Sequence, residues 1–90
     1  WDATDDRIWA NRAACFSRLG RHDDALRDAE YAIRLKPRWA RAHYRLAEAR
    51  LGQGRVGDAL EACDAGLLLD CDEKLRGDLA ALRGRCVVVD

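Results

Sequence analysis

Gly20-Arg21-His22-Asp23-Asp24-Ala25-Leu26 returns as Gly54-Arg55-Val56-Gly57-Asp58-Ala59-Leu60, thirty-four residues later. The register extends outward in both directions: Arg7 matches Arg41, Ala13 matches Ala47, and Leu35 matches Leu69. A fixed period of this length marks stacked repeats rather than a globule closed around one site. Repeat stacks act by presenting a surface, so a binding groove is sought before a catalytic constellation.

The apolar spacing is helical throughout. Thr4 stands as an N-cap, followed by Ile8, Trp9, Ala13, Phe16 and Leu19, and Gly20 stops the first helix. The second runs from about His22 to Leu35 and ends before Pro37. The third starts near Trp39 and ends at Gly52, and the fourth spans about Val56 to Leu69. Asp70 or Asp72 caps a fifth, about Glu73 to Cys86. There Leu75, Leu79, Leu82 and Cys86 form one narrow stripe, while Lys74, Arg76, Asp78, Arg83 and Arg85 are read as its water side. That division suits a helix that seals the end of a stack, with 87–90 left as a short apolar tail.

Ninety residues with a formal net charge of zero give no bulk electrostatic argument for nucleic acid or an anionic membrane. No apolar run reaches the ~20 residues of a membrane span. The chain opens on Trp1 and holds no Met, the pattern expected of a piece of a longer protein. Four cysteines, at 15, 63, 71 and 86, have no C-x-x-C spacing and no histidine cluster beside them, so free thiols, a reducing compartment and no metal or other cofactor are expected. Cys15 and Cys63 read as small packing residues, Cys71 and Cys86 as exposed and oxidisable. No nucleophile stands with a base and no glycine-rich loop follows a strand, so an enzyme is not expected.

These features resemble the tetratricopeptide repeat family. Trp9, Ala13, Phe16, Ala25, Ala29, Ala32 and Pro37 occupy the pattern positions in the first repeat. His43, Leu46, Ala47, Ala59, Cys63 and Gly66 do so in the second, with Cys71 in place of the proline. The resemblance implies an all-α antiparallel helix-pair solenoid: two units at 5–37 and 39–72 plus a capping helix at 73–86. Locally, Asn11-Arg12-Ala13-Ala14, Leu19-Gly20, Asp28-Ala29-Glu30 and Ala42-His43-Tyr44-Arg45-Leu46 look like the second and third repeats of chaperone-binding domains. Those domains clamp the C-terminal Glu-Glu-Val-Asp tails of heat-shock chaperones. By that resemblance Asn11 corresponds to a clamp Asn, and Arg41 and Arg45 to its basic pair. It also implies an adaptor in the cytoplasm, or the nucleus. The clamp's first-repeat Lys and Asn have no counterpart in this sequence, so weak binding is expected.

The residues make a parallel case without the family. Arg41 and Arg45 are one helical turn apart, as are Arg7 and Asn11 one period earlier, and stacking brings all four to one surface. An Arg fork takes a carboxylate bidentately, and a C-terminal Asp offers two. Tyr44 is a candidate to line the same groove, and Glu48, one turn after Arg45, either pairs with it or repels a ligand. Arg12 is expected to pair with Asp28, and His43 to pack. Other readings are a partner bound without regard to its C-terminal carboxylate, or a spacer segment that self-associates. Val89-Asp90 echoes a chaperone tail and suggests a neighbour's terminus entering the groove.

Overall fold

A computed structural model describes residues 6–69 and 71–87. Five helices follow in order: α1 Asp6–Arg18, α2 His22–Leu35, α3 Ala40–Gly52, α4 Val56–Leu67 and α5 Glu73–Val87. The molecule measures 43 × 28 × 18 Å, and its shortest dimension is about two helix diameters. The helices therefore form two layers, with α1, α3 and α5 side by side and α2 and α4 behind them. Each helix packs only against those one or two places along the chain.

The turn residues explain the repeated heptapeptide. Gly20 and Gly54 sit at φ +80° and +81°, the left-handed region that any Cβ resists. Each closes the same helix ending. Arg21 N–H donates to Phe16 O and Arg55 N–H to Arg50 O, both at 2.9 Å. Gly20 N–H donates to Ser17 O and Gly54 N–H to Leu51 O. The second layer can then fold back on the first.

Alanine makes the layers fit. Ala10, Ala13, Ala25, Ala29, Ala32, Ala42, Ala47, Ala49 and Ala59 are all buried. Their small side chains let helices approach closely, and Leu46, Leu79 and Leu82 fill the space between layers. Gly66 gives α5 its seat: a Cβ there would lie 3.1 Å from Leu79 Cδ2 and 3.4 Å from His43 Cβ. His43 packs as expected, half-buried, with Nε2 2.9 Å from Pro37 O. At the turns, the His22 ring lies against Gly52, and Gln53 Nε2 donates to Asp23 Oδ1 at 2.6 Å, tying one repeat to the next.

Asp28 is 2% exposed and accepts two bonds from Arg12, from Nε at 2.6 Å and from Nη2 at 2.9 Å. The Arg12 guanidinium also lies 5.0 Å from the Trp9 ring centre and 5.6 Å from that of Phe16. The bonds to Asp28 raise the Arg12 pKa. This is the pairing read from the sequence, and it fastens α1 to α2.

Several expectations need correction. α4 ends at Leu67, not Leu69, and α5 continues through Val87. Leu19 points out at 71% exposure, because it lies past the last turn of α1. Cys15 is exposed, since it faces away from both α2 and α3. Cys86 is buried, because the apolar stripe of α5 holds to its end and places the thiol beside Cys63. Asp72 caps α5, its Oδ1 accepting from Leu75 N–H at 2.7 Å. Thr4, Asp70 and Val89-Asp90 lie outside the described residues.

Three outcomes are expected. Arg12→Ala strands a buried carboxylate and should lower stability by about 2–4 kcal/mol in urea unfolding. Arg83→Ala, which breaks the exposed pair with Asp64, should leave the midpoint essentially in place. Burial pushes the Cys63 thiol up to about 12, so Cys15 should react with a thiol-specific disulfide reagent in the native protein while Cys63 waits for unfolding.

Candidate functional site

The front layer is a shallow trough built by α1, α3 and α5. On α3, Arg41, Arg45, Glu48 and Gly52 fall at i, i+4, i+7 and i+11, one line along the outer face. Ala42 and Ala49 turn inward and are fully buried. On α1, Arg7 and Asn11 hold the positions that Arg41 and Arg45 hold on α3, and both are exposed. α1 and α3 pack side by side, so the four residues singled out in the sequence belong to adjacent helices on one surface.

Their states differ. Asn11 and Arg41 are exposed, and Arg41 has neither hydrogen bond nor ion pair among the described residues. Arg7 is already engaged by a partner. Arg45 is half-buried and strongly committed. Its Nη1 donates to Glu48 Oε1 at 2.8 Å, and its guanidinium stands 5.2 Å from the Tyr44 ring centre. Arg45 Nε is buried without a hydrogen-bond partner. Of the two readings of Glu48, the structure shows the pairing: the carboxylate occupies part of the fork that would receive a ligand.

Tyr44 faces α5 across the trough. Burial raises its pKa, and Glu48 adds to the rise while Arg45 opposes it. The charges of Asp78 and Arg85 on α5 bear on it as well. Further along, Ser17, His22, Glu48, Leu51, Gly52, Leu82 and Arg85 line a cleft of about 230 Å³. Ser17 Oγ and His22 Nδ1 are buried there with no hydrogen-bond partner.

Sequence reasoning therefore missed the third wall. Asp78, Arg83 and Arg85 are all exposed, in agreement with the water side read from the sequence. Arg83 turns toward α4, its Nε donating to Asp64 Oδ1 at 2.7 Å, while Arg85 lines the cleft and the charges of Asp78 and Arg85 bear on Tyr44. The signal was available in the spacing. Asp78 and Arg85 stand thirty-three residues after Arg45 and Gly52, and α5 starts thirty-three residues after α3.

The trough offers donors at one end and both signs of charge at the other. That is suited to holding an extended chain by its carboxylates. Among the described residues no group of His, Cys, Asp and Glu could hold a metal, and no helix is long and apolar enough to cross a membrane.

Residues 16–85 match a family described as tetratricopeptide repeat. The Hsp70-Hsp90 organizing protein of Triticum aestivum is 42% identical over 74 residues, covering 81% of this chain and 13% of that protein. The small glutamine-rich tetratricopeptide repeat-containing protein 2 of Mycosarcoma maydis is 40% identical over 74 residues, 81% of this chain and 21% of that protein. Heat shock protein STI1 of Saccharomyces cerevisiae is 34% identical over 67 residues, 74% of this chain and 11% of that protein. The match thus covers between 11% and 21% of the length of these curated relatives.

Glu48→Gln removes a negative charge beside Tyr44 and frees Arg45, and both changes favour the phenolate. In a Tyr31→Phe background, phenolate absorbance should show Tyr44 titrating at lower pH than with Glu48 present. It should stay above the ordinary tyrosine value, because burial is the larger cause.

Proposed function

The chain belongs to the tetratricopeptide repeat family, and from that premise we propose that it is an adaptor whose trough takes the acidic C-terminus of a chaperone. The observation that carries this reading is the donor set on adjacent helices: Arg41 and Arg45 one turn apart on α3, with Asn11 beside them on α1. A C-terminal aspartate presents two carboxylates within a few ångströms, and this set offers two Arg forks and an amide to match. The relatives, an Hsp70-Hsp90 organizing protein and a heat shock protein, support chaperone partners.

Glu48 tunes the reading. An incoming carboxylate has to displace it from Arg45, so part of the binding energy is spent on breaking an existing pair. Binding should accordingly be weak. The acids Glu48 and Asp78 give a specific reason to keep a second reading, a partner peptide of mixed charge held without regard to its terminus.

Calorimetric titration with a free-acid Glu-Glu-Val-Asp peptide and its C-terminally amidated twin separates the two. The clamp reading expects saturable binding that falls about tenfold or more on amidation or in Arg45→Ala, since a charge-assisted bond contributes about 1.5–3 kcal/mol. Glu48→Gln should tighten binding severalfold. Equal affinity for both peptides would leave the mixed-charge partner, and no binding of either would sink the chaperone-tail reading.

A further inference from the structure

The helices of the front layer share a register that extends to the cap. α1 begins at Asp6, α3 at Ala40 and α5 at Glu73. The second residue of each is a cation: Arg7, Arg41 and Lys74. Burial follows the same alignment. Leu75, Leu79 and Leu82 are buried on α5 where Ala42, Leu46 and Ala49 are buried on α3. The two helices thus present equivalent faces, and α3 packs beside α5 as it does beside α1. By this register Lys74 holds on α5 the position that Arg41 holds on α3 and Arg7 on α1.

Lys74 is exposed and, among the described residues, has no hydrogen bond or ion pair. Adjacent packed helices have axes about 8–10 Å apart, and an extended chain advances about 3.3 Å per residue. A peptide crossing from α3 to α5 therefore covers that gap in about three residues. With a terminal carboxylate held at Arg41 and Arg45, the side chains two and three positions upstream come level with Lys74. Asp78, one turn further along α5, repels a second acid placed deeper in the trough. The favourable position for that acid is the Lys74 edge.

We infer that Lys74 is a binding residue of the trough, contacting an acidic side chain two or three residues before the terminus of an extended peptide. This rests on the clamp reading above, and it makes the cap part of the binding surface and not only a seal.

The test is a chemical-shift titration of the ninety-residue protein, which follows weak binding. Free-acid Glu-Glu-Val-Asp and Gln-Gln-Val-Asp peptides are added to the unsubstituted chain, to Lys74→Ala and to Arg45→Ala at one salt concentration. Lys74→Ala should weaken the Glu-Glu peptide about two- to fivefold, the range of an exposed ion pair, and leave the Gln-Gln peptide unchanged. An equal effect on both peptides, or none on either, with Arg45→Ala still removing binding, overturns the role of Lys74 and leaves the clamp intact. No saturable shift with either peptide in the unsubstituted chain overturns both.

Discussion

Close approach of helices is the constraint on which this structure depends, and alanine meets it. With buried Ala at eleven of the described positions on four helices, the axes can pack tightly enough for the front layer to form a continuous trough. A larger side chain at any of these places would push two helices apart, and overpacking of this kind costs about 1–3 kcal/mol. The same closeness lets Arg12 on α1 reach Asp28 on α2 with two of its guanidinium nitrogens. The glycine turns serve that approach too, since each returns the chain sharply enough for the second helix of a pair to lie against the first.

The trough that results is neither uniformly basic nor inert. Its positive charge is concentrated where helices begin, at Arg41 and Lys74, while Glu48 answers Arg45 one turn in. Under the proposed clamp, a groove so arranged discriminates by position. An anion at the helix-start edge meets unpaired cations, and the same anion two turns deeper meets carboxylates. The exposed ion pairs Arg21–Asp24 and Arg55–Asp58 contribute little to this, because they lie at the turns and repeat with the heptapeptide.

Much of this was legible in the sequence because it is written twice. The period fixed the helix pairs, and the glycines marked both turns. The spacing of sixteen residues between Arg12 and Asp28 fitted a bond across one helical hairpin. What escaped was decided at the edges of the repeat. Leu19 and Cys15 lie where an apolar pattern meets open solvent, and a pattern does not say how far the neighbouring helix reaches. The cap escaped for a different reason. Its register is thirty-three residues, not thirty-four, so its polar face was read as generic surface instead of as the third wall of the trough. Whether Glu48 would pair or repel was likewise undecidable from spacing alone, because it depends on rotamers that Tyr44 and Arg45 settle together.

The packing of each helix only against those one or two places along the chain has a kinetic consequence. No contact joins the first helix to the last two, so no long loop has to close before the chain gains from folding. Low contact order of this kind places folding in the microsecond-to-millisecond range. It also means that cooperativity decays along the array: structure nucleated in one hairpin is passed on one interface at a time. The last interface, α5 against α4 and α3, is then the place where the array can open without the rest unravelling. The backbone amides of α5 would report that opening by hydrogen exchange at a lower free energy than those of α2 and α3.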